Sequence, residues 1–297
     1  MFVGCKTPNV VPLLENEFIF DYRPNGYMPL IVLYTELDSD KKVKLEFELD
    51  TGGGENILSQ KGMKKLSHSF KPNSTTTYKI KIDSLKTINN FPFKDRTFSF
   101  RKDEFIEGIS KLKKDGMINI AFFEQHKIIT INFIERKIIL DGKILDTQPI
   151  LMKKINILGN MFYEIPVIIN GKNDFAIIDT GTQGIGVLRL DYENEKQIVD
   201  DEKYLQTVDE STLTEQLYIN IEKIQIGEQV YENQKLINSA TKKIKIPDLV
   251  RNVILYNNTL GIDFFKDKII GKDSISKPII GNIYILTQIK IFFIFTF

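Results

Sequence analysis

The chain has no tryptophan, one cysteine and two histidines, and its charge is almost balanced. Each shortage removes a class of function. A single cysteine, Cys5, excludes an internal disulfide framework and any multi-cysteine zinc or iron–sulfur site. His68 and His126 are too little material for a histidine metal centre or a Ser–His triad. Forty basic residues against 39 acidic ones leave a net charge of +1, so nothing drives the counterion release on which general nucleic-acid binding depends. Acid–base chemistry in such a chain has to come from carboxylates.

What is present is the balance of a globular protein. Of 297 residues, 42% are hydrophobic and 27% charged, and 21 phenylalanines are available to fill small cores. That length allows one large domain or two ordinary ones. Residues 30–34, 43–49, 78–82, 128–133 and 165–169 are rich in β-branched and aromatic side chains. Turn signals separate them: Pro24-Asn25-Gly26, Asp141-Gly142 and Asn170-Gly171, the last a strong hairpin signal between apolar runs. Helical candidates are short: residues 104–113, 122–126 and 264–268. The expectation is a mainly antiparallel β protein.

An internal repeat organises the chain. Phe47-Glu48-Leu49-Asp50-Thr51-Gly52-Gly53 matches Ala176-Ile177-Ile178-Asp179-Thr180-Gly181-Thr182. Downstream, Ile118-Asn119-Ile120-Ala121-Phe122-Phe123 matches Leu260-Gly261-Ile262-Asp263-Phe264-Phe265. Between these landmarks residues 80–85 sit where residues 219–227 sit in the second half. The simplest organisation is an N-terminal extension 1–17, lobes 18–145 and 146–275 packed on one another, and an apolar tail 276–297.

Apolar residues lead into each Asp-Thr-Gly, so a buried strand delivers a carboxylate into a tight turn. Gly52 and Gly181 permit unusual backbone conformations and close approach of a neighbouring chain. Thr51 and Thr180 can bond nearby backbone and fix the turn. If the lobes meet about a pseudo-two-fold axis, Asp50 meets Asp179, their titrations couple, and one proton is held between them. Such a pair can take a proton from water while giving one to a carbonyl oxygen. Asp-Thr-Gly as a mere turn is the plainer reading. However, the tripeptide arises by chance in on the order of 5–10% of chains this long, and twice in well under about 1%.

On Leu49-Asp50-Thr51-Gly52, Ile178-Asp179-Thr180-Gly181-Thr182 and, more loosely, Leu260-Gly261, the sequence resembles the aspartic peptidases of the pepsin and retropepsin group. It is most similar in style to bacterial two-lobed proteins with retropepsin-type halves. The resemblance covers most of residues 27–268. It implies two similar retropepsin-like (acid-protease) β-barrel lobes with a cleft between them. It further implies catalytic Asp50 and Asp179, turn-supporting Thr51, Gly52, Gly53, Thr180, Gly181 and Thr182, a water nucleophile, and no cofactor or metal. The substrate would be a peptide or protein, with both aspartates in one chain making a monomer sufficient. A hairpin flap would lie within residues 73–94 or 205–226, with Tyr78 as the candidate flap tyrosine.

Several departures motivate a second reading, a degenerate, non-catalytic peptide- or partner-binding protein on the same scaffold. Gly53 replaces the usual Ser or Thr, whereas Thr182 keeps a hydroxyl. Glu48 stands where an apolar residue is normal, and a charge there needs a partner or an exit to solvent. Asn119 replaces a glycine; asparagine tolerates positive φ. After Phe264-Phe265 the second half should form a closing hairpin like that of residues 128–140. Instead the chain runs into the apolar tail. Either the tail supplies the strand in another register or the lobe is incompletely closed.

Other features are peripheral. Phe2-Val3-Gly4-Cys5 resembles the end of a bacterial lipoprotein signal. Cys5 is then either an acylated N-terminus, giving a membrane attachment and a place in the cell envelope, or an ordinary cysteine of a cytoplasmic protein. His126 reads as a surface or capping residue. Residues 181–186 are glycine-rich but lack the helix and lysine of a phosphate cradle. The acidic stretch 191–215 reads as a solvated excursion, or as a cleft border favouring basic substrates.

Overall fold

The computed structural model describes residues 14–22, 28–37, 41–66, 79–101, 114–142, 150–157, 160–182, 186–188, 199–209, 212–238, 258–265, 268–273 and 282–287. The architecture is mainly β: two similar β-barrel lobes joined by a shared sheet. Cys5, His68, Tyr78 and the helical candidate at 104–113 lie outside the described residues.

The first lobe is built from β2 (Asp21–Tyr22), β3 (Pro29–Leu37), β4 (Lys41–Leu49), β5 (Ile57–Ser59), β6 (Lys79–Lys86), β7 (Pro92–Arg101) and β8 (Gly116–Ile118). Their order is β2-β3-β4-β8-β5-β7-β6, and β6 returns to β3 through the Tyr34–Lys86 pair. The second lobe uses β12 (Lys153–Ile157), β13 (Asn160–Ile169), β14 (Lys172–Ile178), β15 (Gly186–Leu188), β16 (Val199–Asp209), β17 (Thr212–Ile226), β18 (Gln229–Asn238) and β19 (Asn258–Leu260). Here the order is β12-β13-β14-β19-β15-β18-β17-β16, and β17 returns to β13 at Ile168–Gln225. Each set closes a ring of six strands with the same connectivity. Closure removes the exposed sheet edges and aims alternate side chains at a common interior.

The alternation is visible in β3, where Ile31 and Leu33 are buried between partly exposed Leu30, Val32 and Tyr34. It breaks at the ends of β4 and β14: Phe47, Glu48 and Leu49, like Ala176, Ile177 and Ile178, are all buried. Those strand ends run parallel to β8 and β19 and are covered on both faces. The cores also repeat. Phe93 meets Phe122 at 4.9 Å between ring centroids, and Tyr231 meets Phe264 at 4.8 Å. Phe122–Phe123 and Phe264–Phe265 are both edge-to-face at 5.1 Å. Asp95 and Asn233 carry positive φ of 54° and 53° at matching points of β7 and β18. The helical candidates at 122–126 and 264–268 are a 3-10 helix at Ile120–Phe123 and α2 at Ile262–Phe265, each starting two residues earlier than the sequence suggested. A further helix, α1 (Gln60–Leu66), has no apolar periodicity to announce it.

A third sheet joins the lobes: β1 (Glu17–Ile19), β10 (Lys137–Leu140), β9 (Ile128–Asn132), β20 (Lys268–Asp273), β21 (Asn282–Thr287) and β11 (Ile150–Leu151), in that order. It reads the same from either end. Two hairpins, β9–β10 and β20–β21, meet where β9 pairs with β20, with Ile131 opposite Ile270. The second lobe therefore does have its closing hairpin, and of the two alternatives the one in which the tail supplies the strand holds. Its second strand comes from the tail, past residue 275, with Ile270 opposite Ile285. Ending the chain after Asp273 removes β21 and leaves β20 and β11 each short of a partner. The expected result is a thermal midpoint lower by roughly 5 °C or more, the shift about 2 kcal/mol produces in a domain of this size. An unchanged midpoint would remove β21 from the sheet.

Candidate active site

Asp50 and Asp179 are delivered by the same backbone arrangement. Asp50 N–H donates to Ile118 O at 2.9 Å, and Asp179 N–H donates to Leu260 O at 2.9 Å. Each turn closes three residues on, Gly53 N–H to Asp50 O at 3.1 Å and Thr182 N–H to Asp179 O at 3.2 Å. The parallel pairing of β4 with β8 and of β14 with β19 places each aspartate beside the apolar element of its own half.

The turns then bind each other. Thr51 N–H donates to Thr180 Oγ1 at 3.0 Å, and Thr180 N–H donates to Thr51 Oγ1 at 3.0 Å. Each hydroxyl passes its own proton to the opposite strand: Thr51 Oγ1 to Ile178 O at 3.0 Å and Thr180 Oγ1 to Leu49 O at 2.7 Å. The sequence assigned each threonine to its own turn; the side chains instead cross to the other lobe. Both residues are buried, Thr180 completely. The glycines follow from the same closeness. A Cβ on Gly52 would lie 2.3 Å from Asp179 Cγ, and one on Gly181 would lie 2.6 Å from Asp50 Cγ. Among the described glycines only Gly171 and Gly227 have positive φ, so Gly52 and Gly181 are required for space rather than for an unusual backbone conformation.

Room made in this way lets the carboxyls meet. The Asp50 and Asp179 carboxyls face each other closely enough to interact, and a hydrogen bond between them needs one proton. The Asp50 carboxyl is pushed well above the usual carboxylate range, first by burial, then by the charge of Asp179 and the bond to it. The N–H groups of Gly52 and Gly53 act in the opposite sense. The two carboxyls are supported unequally. Asp179 Oδ1 accepts from Gly181 N–H at 2.8 Å and its Oδ2 from Thr182 Oγ1 at 2.6 Å. Asp50 Oδ1 is shut off from solvent without a partner.

The remaining expectations resolve as follows. Asn119 is 2% exposed with φ −104° and ψ −179°, so it makes no use of a positive φ. Its Nδ2 donates to Gly53 O at 2.8 Å, its Oδ1 accepts from Ala121 N–H at 3.1 Å, and its N–H donates to Asn56 Oδ1 at 3.0 Å. The sequence treated Asn119 as a tolerated departure and missed this role. Glu48 does not exit to solvent; it is 7% exposed in β4, opposite Leu30 and Met117. His126 is a half-buried partner of Asp141, at 2.8 Å, rather than a surface residue. The glycine-rich stretch after Asp179 leads into strand β15. Of the two flap spans, residues 73–78 lie outside the described set. In the 205–226 span Asp209 of β16 lies opposite Thr212 of β17, and among the described residues the start of β17 pairs with β16 alone. Among the described residues no group of three or more His, Cys, Asp or Glu is placed to hold a metal ion.

Replacing Thr51 by valine keeps the side-chain shape but strips Thr180 N–H of its acceptor and Ile178 O of its donor. The expected cost in denaturant unfolding is about 2–4 kcal/mol, from two buried groups left unpaired. Thr180→Val should cost the same through Thr51 N–H and Leu49 O, and serine at either position should restore most of it. Valine variants as stable as the parent would show that the exchange contributes nothing.

No protein-family model matches the chain, and no curated protein matches it. Solved structures similar to it include a retropepsin-like aspartic protease from Rickettsia conorii, 18% identical, covering 42% of this chain and 88% of that one with a TM-score of 0.28. Another is the aspartic proteinase from Irpex lacteus, 10% identical, covering 88% of this chain and 95% of that one with a TM-score of 0.47.

Proposed function

We propose that the chain is an aspartic endopeptidase that hydrolyses peptide bonds with a water molecule activated between Asp50 and Asp179. The observation that carries this reading is the facing carboxyl pair, one member from each lobe, held by the reciprocal threonine contacts. With one proton shared, the ionised carboxylate takes a proton from water as the oxygen attacks the scissile carbonyl carbon. The protonated partner gives its proton to the carbonyl oxygen. The tetrahedral diol then collapses: the C–N bond breaks, the departing nitrogen takes a proton from the pair, and one diol hydroxyl returns its proton to the pair as its C=O bond forms. No covalent intermediate forms, and the pair returns to its starting protonation.

A second reading, a binding protein without turnover, draws on the support of Asp50: Gly53, beside its Oδ2, brings no hydroxyl, and its Oδ1 is buried without a partner. The two readings separate on a peptide library at acidic pH. Asp50→Asn and Asp179→Asn should each lower kcat by about 10²–10⁴-fold or more, the contribution of a positioned acid or base, while folding survives. Binding without cleavage by the parent protein would decide for the second reading.

The shared proton has a test that needs no substrate. A value for Asp50 above that of the unfolded chain means the folded state holds a proton that unfolding releases. That stabilisation is complete below the ordinary aspartate value near about 4 and is lost as pH rises through the raised one, at up to roughly 1.4 kcal/mol per pH unit. Groups such as Glu46, lowered to about 2 chiefly by its hydrogen bond with Lys114, act in the opposite sense at lower pH. The informative quantity is therefore the stability difference between the parent and Asp50→Asn above about pH 5. The parent should lose stability with rising pH and the variant should not; parallel curves would mean that no proton is shared.

A further inference from the structure

Residues 53 and 119 of the first lobe correspond to residues 182 and 261 of the second, and the two pairs exchange chemistry. In the second lobe Thr182 supplies a hydroxyl to its aspartate, residue 261 is glycine, and Ile262 N–H donates to Thr182 O at 2.9 Å. In the first lobe residue 53 is glycine and offers no hydroxyl. The carbonyl of Gly53 is instead held at 2.8 Å by the buried side-chain amide of Asn119. The side chain of Asn119 thus makes the bond that a backbone N–H makes in the other half. It also caps the following helix through Ala121 N–H and ties Asn56 through its own N–H.

We propose that Asn119 is a positioning residue that fixes the Gly53 turn in place of the missing hydroxyl, leaving the pair asymmetric, with Asp50 as the member that holds the proton and Asp179 as the ionised base. The step rests on the peptidase reading for its chemical use, but the asymmetry belongs to the resting protein. Asp179 accepts from two donors, one of them the Thr182 hydroxyl. Asp50 has the N–H groups of Gly52 and Gly53 but no hydroxyl at residue 53, which lies beside its Oδ2, and its Oδ1 is buried without a partner. Beside burial, the main influences on Asp50 are the charge of Asp179 and the uncharged N–H groups of Gly52 and Gly53. Water is then deprotonated by Asp179, and the carbonyl oxygen receives its proton from Asp50.

The structure also indicates how the asymmetry can be undone. A Cβ added at Gly53 would sit 3.1 Å from Asp50 O and 3.2 Å from Asp50 Oδ2, tight but within what small shifts absorb. A serine there can turn its hydroxyl onto Asp50. The experiment titrates the ¹³C carboxyl signals of Asp50 and Asp179 in the substrate-free chain and, in parallel, follows kcat/KM against pH on a cleavable peptide. In the parent protein Asp50 should account for the upper of the pair's two apparent steps. Gly53→Ser stabilises ionised Asp50, so the upper step and the alkaline limb of the rate profile should move to lower pH. Thr182→Val removes a donor from Asp179, so the lower step and the acidic limb should move to higher pH. Asn119→Gly should lower kcat on the order of 10-fold or more with KM little changed, as loss of alignment does. Gly53→Ser combined with Asn119→Gly, which copies the arrangement of the second lobe, should recover most of that loss.

If Asp50 titrates first, or Gly53→Ser moves neither step in a folded protein, the proposal is overturned. It is also overturned if the double variant is no better than Asn119→Gly. Absence of peptide cleavage would sink the peptidase reading alone, because the carboxyl titrations would still report the asymmetry.

Discussion

Two threonines, 129 positions apart in the chain, each place a hydroxyl between the other's N–H and a carbonyl of the opposite strand. Every group in that exchange is buried and satisfied only by the other lobe. Separating the lobes by a fraction of an ångström would leave two N–H groups and two carbonyls unpaired in a region water cannot reach, at roughly 1–3 kcal/mol each. The arrangement is therefore close to all-or-none, and it sets the distance at which the neighbouring residues of each turn meet. Asp50 and Asp179 flank those threonines in sequence, so fixing the threonines fixes the carboxyls. The glycines at 52 and 181 are the steric counterpart: the hydrogen bonds draw the turns together, and the absent side chains let them arrive.

The shared sheet works on the same separation from further away. Its centre is the β9–β20 pair, one strand from each half, and its outer strands repeat symmetrically on either side. A backbone ladder of this kind resists sliding, since a one-residue slip turns every side chain to the other face. Lobe orientation is thus held at two places, by a sheet on one side and by the threonine exchange at the turns. Between them the phenylalanine clusters Phe93–Phe122–Phe123 and Tyr231–Phe264–Phe265 anchor the short helices that follow the apolar elements. Those helices begin where Asn119 and Gly261 sit, which links core packing to the floor of the site.

Much of this was legible because duplication writes itself into sequence. The paired Asp-Thr-Gly segments and the paired Phe-Phe elements located both halves, and the β-rich pattern between them gave the class. What stayed illegible depends on contacts across the repeat. A threonine that bonds its own turn and one that bonds the opposite turn have the same neighbours in the chain, so Thr51 and Thr180 looked local. Strand β21 was hidden for a different reason: it pairs with β20 across residues 274–281, and its apolar run resembled a tail. α1 carries no 3.6-residue apolar stripe, because of its seven residues only Gly62 and Met63 are buried. Asn119 read as a defect when considered alone; its meaning appears only beside Gly53.

That last pairing bears on how a duplicated site can tolerate divergence. A symmetric pair of carboxyls can hold one proton on either member, with nothing in the protein to choose between them. Here the difference is built into the protein. One half retains a hydroxyl on the aspartate and a glycine at the start of the helix. The other has lost the hydroxyl and gained an amide that secures the same turn carbonyl. Taken singly, Gly53 and Asn119 each weaken the case for a working site. Taken together they leave the turn geometry nearly unchanged, with closing bonds of 3.1 Å and 3.2 Å in the two halves. What they alter is the electrostatic support of a single oxygen. Geometry held constant while one donor is removed is how a proton comes to reside on one side of a pair, and it argues that the departures in this chain tune the site rather than dismantle it.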